Sequence, residues 1–253
     1  MYAAERQQQI LQQARAHGRV EVTALAADLD VTPETIRRDL SVLVRHGTLR
    51  RAHGGAIPVE RLVTFEPEIT ARSAIMAEAK QRIARAALVE IPQQGTIFIE
   101  AGSTPGALAD LLPANRSLTV VTTGLSIALG LATKPKITVL IVGGRVRGRT
   151  LAAVDDWALR DLAELHVDVS FLGTNGFSVS GGLTTPDVAE AAVKRAALSI
   201  GRRTVLLADH SKLGVLTLCG YGAISAIDLV VTDQLTHQDV TELTTAGVEV
   251  RQA

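Results

Sequence analysis

Residues 31–47 read VTPETIRRDLSVLVRHG and carry the pattern of an amphipathic helix. Thr32 can cap this helix, and Pro33 occupies the first helical position, where its missing N–H costs nothing. An apolar stripe with intervals of four and three residues is formed by Ile36, Leu40 and Leu43. The polar side chains left on other faces are Thr35, Arg37, Arg38 and Ser41. The stretch predicts a helix that presents hydroxyl and guanidinium groups near an N-terminus that attracts phosphate.

Two helices are predicted before this one, of which the second is short. Residues 4–17 place apolar side chains among Gln and Arg, and Gly18 is the expected stop. Thr23 is expected to cap the second helix, which Asp30-Val31 then ends. Gly47 is expected to end the third helix. The apolar positions are Ile10, Leu11 and Ala14 in the first helix and Leu25, Ala26 and Leu29 in the second.

A basic hairpin is predicted after the third helix. Residues 49–53, LRRAH, can pair with residues 56–58 around Gly54-Gly55, a turn pair that tolerates positive φ. Each element alone is weak evidence for a DNA-binding domain, because most amphipathic helices only pack against a hydrophobic core. Their order within 56 residues predicts a winged helix-turn-helix domain.

The charge distribution supports this prediction. The whole chain has 26 basic and 26 acidic residues, which alone argues against a nucleic-acid partner. Residues 1–56, however, hold 8 Arg, no Lys and 6 acids, a net of +2. Arginine suits bidentate contacts to phosphate and guanine, although a charge run of this size also fits a solvated helix face.

Composition limits the class of protein. With 253 residues, 47% of them hydrophobic, the chain can bury a core. The single Cys219 excludes an internal disulfide and a cysteine-based zinc cluster. Neither a signal peptide nor an apolar run of about 20 residues is found, so we expect a cytoplasmic protein without membrane contact.

The larger C-terminal part alternates apolar, β-rich runs with helical segments. This pattern predicts an α/β fold with a mostly parallel sheet covered on both faces. The strands are expected at 96–100, 118–122, 137–142, 167–172, 204–208 and 229–232. Residues 57–79 lack a clean period, and helix is expected around 74–88. We therefore predict a winged helix-turn-helix domain at 1–58, a linker at 59–75 and an α/β domain at 76–253.

Small polar residues follow five of the predicted strands. Because ligands of α/β sheets bind at the carboxyl ends of strands, these loops predict a phosphate-binding site. A single such loop is more often an ordinary turn. The two lysines that could bind phosphate, Lys194 and Lys212, also fit a reading as surface residues. The candidate ligand-binding residues are Glu100, Gly102, Ser103, Thr104, Thr123, Gly143, Arg147, Asn175, Gly176, Lys194, Asp209 and Lys212.

Two sets of motifs together cover nearly the whole chain. The first set is residues 31–40 with Gly47 and LRRAHGGA at 49–56. The second set is Phe65-Glu66-Pro67, Arg72, Lys80, the Glu100 loop, Gly143-Gly144, GGLTTPD at 181–187, Glu190, Val193-Lys194-Arg195 and ADHSK at 208–212. Both sets resemble the DeoR/GlpR family of bacterial repressors.

The resemblance implies roles for residues of both domains. Thr32, Thr35, Arg37, Arg38 and Ser41 would face DNA, while Arg50, Arg51 and His53 in the wing would touch its backbone or minor groove. Asp39 is interpreted as orienting a neighbouring Arg. The C-terminal domain would be similar to ribose-5-phosphate isomerases, Rossmann-like in build, and would bind a phosphorylated sugar or polyol as effector.

This sequence departs from the family at two loops. Glu100 and Ser103 stand where the family usually has Asp and Thr, and Thr123 stands where it has Asn. A longer carboxylate and a lost amide change which sugar hydroxyls are satisfied, so the effector's identity does not carry over.

Three classes of function are compared. The favoured hypothesis is a homo-oligomeric repressor of a carbohydrate catabolic operon, released from double-stranded operator DNA by its effector. The alternative, an isomerase with an accessory DNA-binding domain, needs a carboxylate base, and residues 173–177 contain no acid, which leaves only Glu100 and Asp209. A purely structural protein does not explain the recognition helix. We expect no catalytic residue, no cofactor and no metal, because His166, His210 and His237 are isolated.

Overall fold

The fold is taken from a computed structural model, which describes residues 3–17, 19–45, 48–52, 54–58 and 66–253. The expected helix stops at Gly18 and Gly47 and the wing residue His53 lie outside these residues. The side chain of Arg50 also lies outside what the structure describes.

The N-terminal part is a winged helix-turn-helix, as predicted. Its elements are α1 (Ala3–His17), β1 (Val20–Glu21), α2 (Val22–Asp28), α3 (Pro33–Arg45), β2 (Leu49–Ala52) and β3 (Gly55–Pro58). The three strands form an antiparallel sheet in the order β1-β3-β2. The buried side chains are those of the predicted stripes, among them Ile10, Leu25, Ile36 and Leu40, joined by Leu49 from β2.

The helix caps agree with the prediction at α3 and differ at α2. The backbone N–H of Thr35 donates to Thr32 Oγ1 at 3.2 Å, so Thr32 caps α3. The predicted cap Thr23 is wrong, because α2 already begins at Val22 and has Glu21 at its N-cap without a side-chain bond. Strand β1 causes this shift, since Val20 and Glu21 pair with β3 and leave no turn before the helix.

The wing turn depends on two adjacent glycines for different reasons. Gly54 has φ +72°, a left-handed conformation that a side chain disfavours. Gly55 lies in β3, where an added Cβ would come within 1.8 Å of the Val20 carbonyl oxygen. One glycine makes the turn, and the other allows β1 to pair with β3.

The C-terminal part contains the remaining elements of the fold. Its helices are α4 (Ile69–Ala74), α5 (Ala77–Ala87), α6 (Ser103–Asp110), α7 (Leu125–Leu131), α8 (Asp155–Ala163), α9 (Val188–Ile200) and α10 (His237–Thr245). Its strands are β4 (Gln94–Ile99), β5 (Ser117–Thr122), β6 (Ile137–Ile141), β7 (Arg145–Arg147), β8 (Ala152–Val154), β9 (Val167–Gly173), β10 (Gly176–Ser178), β11 (Gly182–Thr185), β12 (Gly201–Leu207), β13 (Cys219–Gly222), β14 (Leu229–Thr232) and β15 (Glu249–Gln252).

A seven-stranded parallel sheet organises this part, in the order β15-β14-β12-β9-β4-β5-β6. All six predicted strands belong to it, which confirms the α/β prediction. Alternate side chains point to opposite faces, so Phe98 and Leu206 pack under α8, α9 and α10, while Ile97 and Val205 pack under α5, α6 and α7. β15 was not predicted, because Glu249 and Arg251 interrupt its apolar pattern.

Smaller antiparallel pairs complete the domain. β7 pairs with β8, and β11 lies between β10 and β13. No helix in the described part of the chain is long and apolar enough to cross a membrane.

Residues 66–75 differ from the predicted linker. They include α4, which packs against α6, and the Ile69 N–H donates to the Arg149 carbonyl oxygen at 2.9 Å. The helix expected around 74–88 begins at Ala77, because Met76 adopts a left-handed conformation with φ 56° and separates α4 from α5. The chain is therefore ordered on the α/β domain from Glu66 onward.

Candidate functional site

The face of α3 that the apolar stripe leaves free is polar and solvent-accessible. Arg37 and Arg38 are exposed, and Thr35 and Ser41 are half-buried. Arg37 Nη1 lies 3.2 Å from Glu34 Oε2, whereas Arg38 makes no ion pair or side-chain hydrogen bond within the described residues. Arg38 is thus the guanidinium group most available for a new anionic partner.

Arg51 joins the wing to α3. Its Nη2 donates to the Arg37 carbonyl oxygen at 2.8 Å and to Ser41 Oγ at 2.5 Å. Ser41 Oγ in turn donates to the same carbonyl oxygen at 2.8 Å. These bonds place the wing strand β2 beside the exposed face of α3, so both elements form one polar surface.

Asp39 behaves differently from its exposed neighbours. It is buried, and its carboxylate accepts from Arg6 Nε at 2.5 Å and from Gln7 Nε2 at 2.9 Å. The neighbouring arginine predicted for Asp39 is therefore Arg6 on α1. Since the pair joins α1 to α3, Asp39 fixes the helix that carries Arg37 and Arg38.

The α/β domain has a cavity of about 250 Å³ at the carboxyl ends of β4, β9 and β12. Six of the predicted ligand-binding residues line it: Gly102, Ser103, Thr104, Asn175, Lys194 and Lys212. Four charged residues that were not among those candidates also line it: Glu66, Arg72, Lys80 and Glu190. We call this cavity the sensor pocket.

The first turn of α6 forms one side of the sensor pocket. Gly102 is its N-cap residue, and Ser103 and Thr104 begin the helix. The first N–H groups of a helix have no intrahelical acceptor and carry a partial positive charge. With two hydroxyls beside them, they can bind an oxyanion such as phosphate.

A buried ion pair stands behind another side of the pocket, where Lys194 lines the cavity and Glu100 does not. Lys194 Nζ donates to Glu100 Oε1 at 2.7 Å and to the Gly173 carbonyl oxygen at 3.0 Å, while Glu100 Oε2 accepts from the Gly173 N–H at 2.8 Å. Both side chains are buried, and burial raises the pKa of the Glu100 carboxyl. The charge of Lys194 is therefore already matched, and both carboxylate oxygens of Glu100 are engaged in hydrogen bonds.

Lys80 and Lys212 supply the unmatched positive charge of the pocket. Lys80 Nζ donates to the carbonyl oxygens of Arg72 and Ile75, the latter at 2.6 Å. The pKa of Lys80 is lowered to about 8, mainly by burial and less by nearby Lys212 and Arg72, against the opposing effect of Asp209. Neither lysine forms an ion pair with a carboxylate in the part of the chain that the structure describes.

The other predicted residues lie around the pocket or away from it. Asp209 Oδ1 accepts from the Ser211 N–H at 3.1 Å and caps the short 3₁₀ helix that carries Lys212. Thr123 Oγ1 accepts from the Ala101 N–H at 3.2 Å and supports the loop before α6. Gly176 packs against the backbone of Val215. These three residues position the lining but do not form it.

Gly143 and Arg147 also lie outside the lining. The Gly143 N–H donates to Asp161 Oδ2 at 2.9 Å, so Gly143 anchors the loop before β7 to α8. Arg147 contacts three acids: Glu66 at 2.5 Å, Asp187 at 3.0 Å and Glu190 at 3.1 Å. Arg147 thus acts on the pocket through Glu66 and Glu190.

Two models of known protein families match this chain. The DeoR-like helix-turn-helix domain matches residues 6–61, and the DeoR C terminal sensor domain matches residues 75–234. The chain belongs to the DeoR family.

Two relatives within the DeoR family show how far the likeness extends. The glycerol-3-phosphate regulon repressor of Escherichia coli is 33% identical over 234 residues, which cover 92% of each chain. The transcriptional regulator GlpR of Haloferax volcanii is 34% identical over 251 residues, which cover 99% of this chain and 98% of the relative. The prediction of a DNA-binding transcriptional regulator in place of an enzyme is confirmed.

Solved structures resemble this DeoR-family chain more weakly. The ribose 5-phosphate isomerase of Methanocaldococcus jannaschii aligns with 55% of each chain at 16% identity, with a TM-score of 0.41.

Proposed function

We propose that this protein is a homo-oligomeric repressor of a carbohydrate catabolic operon, released from its operator by a phosphorylated sugar or polyol. One observation carries the effector class. The sensor pocket is lined by the first turn of α6 and by Lys80 and Lys212, two cations that form no ion pair within the described residues. Such a site favours a phosphate dianion over a neutral sugar, because the dianion gives both cations a direct ion-pair partner.

The remaining pocket groups suit the carbon chain of the effector. Glu66, Glu190 and Asn175 line the same cavity and supply oxygen acceptors, and Asn175 also has an amide donor. These are the groups that hydroxyls require. A molecule with one phosphate and several hydroxyls therefore fits the pocket in charge and in hydrogen-bonding capacity.

The DNA-binding surface is formed by α3 and the wing. Arg37, Arg38 and the wing strand present guanidinium groups and hydroxyls on one side of a small domain whose core lies on the other. Helix-turn-helix proteins insert such a helix in the major groove and read repeated half-sites as dimers. Thr32, Thr35 and Ser41 then contact phosphate or base edges, and Arg50, Arg51 and His53 contact the adjacent backbone.

The two edges of the seven-stranded sheet suggest how two copies associate. At the β15 edge, Glu249 and Arg251 form ion pairs with Arg203 and Glu90. At the β6 edge, Leu140 and Ile141 are 47% and 50% exposed. An unprotected apolar edge strand readily pairs with another strand.

We take a second copy of this chain as the occupant of the β6 edge, because the charges beside it are self-complementary. Arg160 on α8 and Glu164, the C-cap residue of that helix, line the groove next to Leu140 and make no ion pair within the described residues. In a two-fold interface each would meet the other from the partner copy. Light scattering of Leu140→Lys should show a lower mass than the wild type, whereas Val89→Lys at the β15 side should not. Equal masses for all three proteins would refute this interface.

The function itself is tested by a screen of ligands and one DNA fragment. Thermal-shift measurements with glycerol 3-phosphate, ribose 5-phosphate and fructose phosphates, each beside its unphosphorylated parent, should show stabilisation only by phosphate esters. The stabilising ester should then release the intact protein from a promoter fragment of its own locus in a gel-shift titration. Absence of DNA binding at low salt would refute the proposal.

A further inference from the structure

Glu66 lies at the centre of a buried hydrogen-bonded cluster that joins the sensor pocket to the segment before α4. Its Oε1 accepts from Arg72 Nη1 at 3.0 Å and from Asn175 Nδ2 at 3.1 Å, and its Oε2 accepts from Arg147 Nη1 at 2.5 Å. The side chain is buried although it lines the sensor pocket. A carboxylate with three such donors is held firmly in place.

The backbone around Glu66 is held as well. Arg149 Nη1 donates to the Glu66 carbonyl oxygen at 2.5 Å, and the Arg149 carbonyl oxygen accepts from the Ile69 N–H at 2.9 Å. Lys80 Nζ bonds the carbonyl oxygens of Arg72 and Ile75 at the other end. Residues 66–75, which we call the strap, are therefore fastened at both ends beside the pocket.

The strap also contacts the elements that hold the pocket cations. Arg147, which binds Glu66, lies 3.0 Å from Asp187 and 3.1 Å from Glu190, the N-cap and first turn of α9. The same helix carries Lys194, and the other strap contact, Lys80, lines the pocket. A ligand that draws on any of these charges changes the strength of the strap's attachment.

The position of the strap in the sequence gives these contacts a consequence. β3, the last strand of the DNA-binding domain, ends at Pro58, and the strap begins at residue 66. Seven residues span at most about 25 Å when fully extended. A change at the strap thus reaches the DNA-binding domain through a short stretch of chain.

We propose that the strap couples the sensor pocket to the DNA-binding domain and that Glu66 is its positioning residue. This inference rests on the proposed function. The hydroxyl and phosphate oxygens of a bound ester compete with the Glu66 carboxylate for Arg72 and Asn175, so the ester and the docked strap influence each other's binding. Such competition gives the ester different affinities for the protein with its strap docked and with its strap released, which is the condition for allosteric coupling.

Three variants of the intact protein test the coupling. Glu66→Gln weakens the strap from within the pocket, and Arg149→Gln weakens it from an exposed position that does not line the pocket. Glu68→Gln is the control, because Glu68 is exposed on the same segment and makes no ion pair within the described residues. Fluorescence anisotropy measures operator affinity with and without saturating glycerol 3-phosphate, ribose 5-phosphate or fructose 1-phosphate.

The expected result is a loss of response without loss of ester binding. The ester should change operator affinity by about 5- to 150-fold in the wild type and in Glu68→Gln. In Glu66→Gln and Arg149→Gln the ratio should fall towards one, while Arg149→Gln keeps the thermal shift produced by the same ester. If Glu66→Gln and Arg149→Gln respond to the ester like the wild type, the coupling by the strap is refuted, but the proposed function is not. A wild type that binds operator but responds to none of the esters would refute the proposed function itself.

Discussion

The DNA-binding surface and the sensor pocket use the same residue types in opposite ways. On α3, Arg37 and Arg38 are exposed, and Arg37 has only the surface acid Glu34 as a partner. In the pocket, Glu100 and Lys194 are buried and matched to each other. Exposed ion pairs contribute at most about 1 kcal/mol to stability, whereas removing one member of a buried pair costs several. Charges on the first surface are therefore free to bind a partner, and charges in the pocket first hold the fold.

The strongest contrast is expected at Lys194. Lys194→Met leaves the Glu100 carboxylate buried without its cation, and the free energy of unfolding should fall by about 3–5 kcal/mol. Urea denaturation measures this change. The matched control is Lys136→Met at an exposed position, which should change stability by less than about 0.5 kcal/mol.

A double variant sharpens the same point. Glu100→Gln combined with Lys194→Met removes both charges, so it should regain part of the lost stability. If the single Lys194 variant were as stable as the wild type, the buried pair would not hold the pocket.

Lys212 should behave like a binding group inside the pocket. It has no carboxylate partner within the described residues, so Lys212→Ala should leave the fold intact and weaken phosphate-ester binding by about 1.5–3 kcal/mol. Isothermal titration calorimetry with the ester found in the screen measures this effect. Operator affinity without ester should stay unchanged, and parallel loss of both activities would contradict the separation of the two sites.

Arg38 is the corresponding test on the DNA side. Arg38→Ala removes an exposed guanidinium group that has no partner among the residues the structure describes, so operator affinity should fall by about 1–3 kcal/mol with little change in thermal stability. Anisotropy titration at fixed salt measures the loss. Ester binding by this variant should equal that of the wild type, and unchanged operator affinity would remove Arg38 from the interface.

The smallest expected effect is a pH dependence of ester binding. Burial lowers the pKa of Lys80 to about 8, so this lysine loses its proton in the folded protein as pH rises through 8. Losing one positive charge near the ester should weaken binding by about 1 kcal/mol. Lys80→Gln should remove this pH dependence, and a wild-type affinity that is flat from pH 7 to about 9 would contradict it.

Stability should change in the opposite direction over the same range. Between pH 8 and the ordinary lysine pKa of about 10.5, the unfolded chain holds the Lys80 proton and the folded protein does not. Rising pH therefore removes the penalty of burying this charge, and Lys80 contributes an increase in the free energy of unfolding.

Capping residues and apolar periodicity in the sequence correctly predicted the helices and strands that are determined by their own residues. Thr32 and Pro33 define the start of α3, and largely apolar runs define the six predicted strands of the parallel sheet. β1 and β15 escaped prediction because one has two residues and the other alternates charges at the sheet edge. The prediction of Thr23 as a helix cap failed because β1 pairs with β3, a strand more than 30 residues away, and this tertiary contact sets where α2 begins.

The site was predicted where ligand groups follow strands directly and missed where distant segments meet. Ser103 and Thr104 follow β4 at the start of α6, Lys212 follows β12 in the short 3₁₀ helix, and all three line the pocket. Glu66 and Arg147 are 81 residues apart, and no spacing rule joins them. Only the recurrence of Glu66, Arg72 and Lys80 among the family motifs could have placed them there.

One chain is proposed to hold both an operator-binding surface and a sensor pocket, and occupancy of the pocket is expected to weaken operator binding. The most direct test titrates the intact wild-type protein, bound to a labelled promoter fragment of its own locus, with the phosphate ester that stabilises it in the thermal screen. We expect the ester to release the protein from DNA and its unphosphorylated parent not to do so. Stabilisation of the protein by the ester with operator affinity unchanged would contradict this coupling.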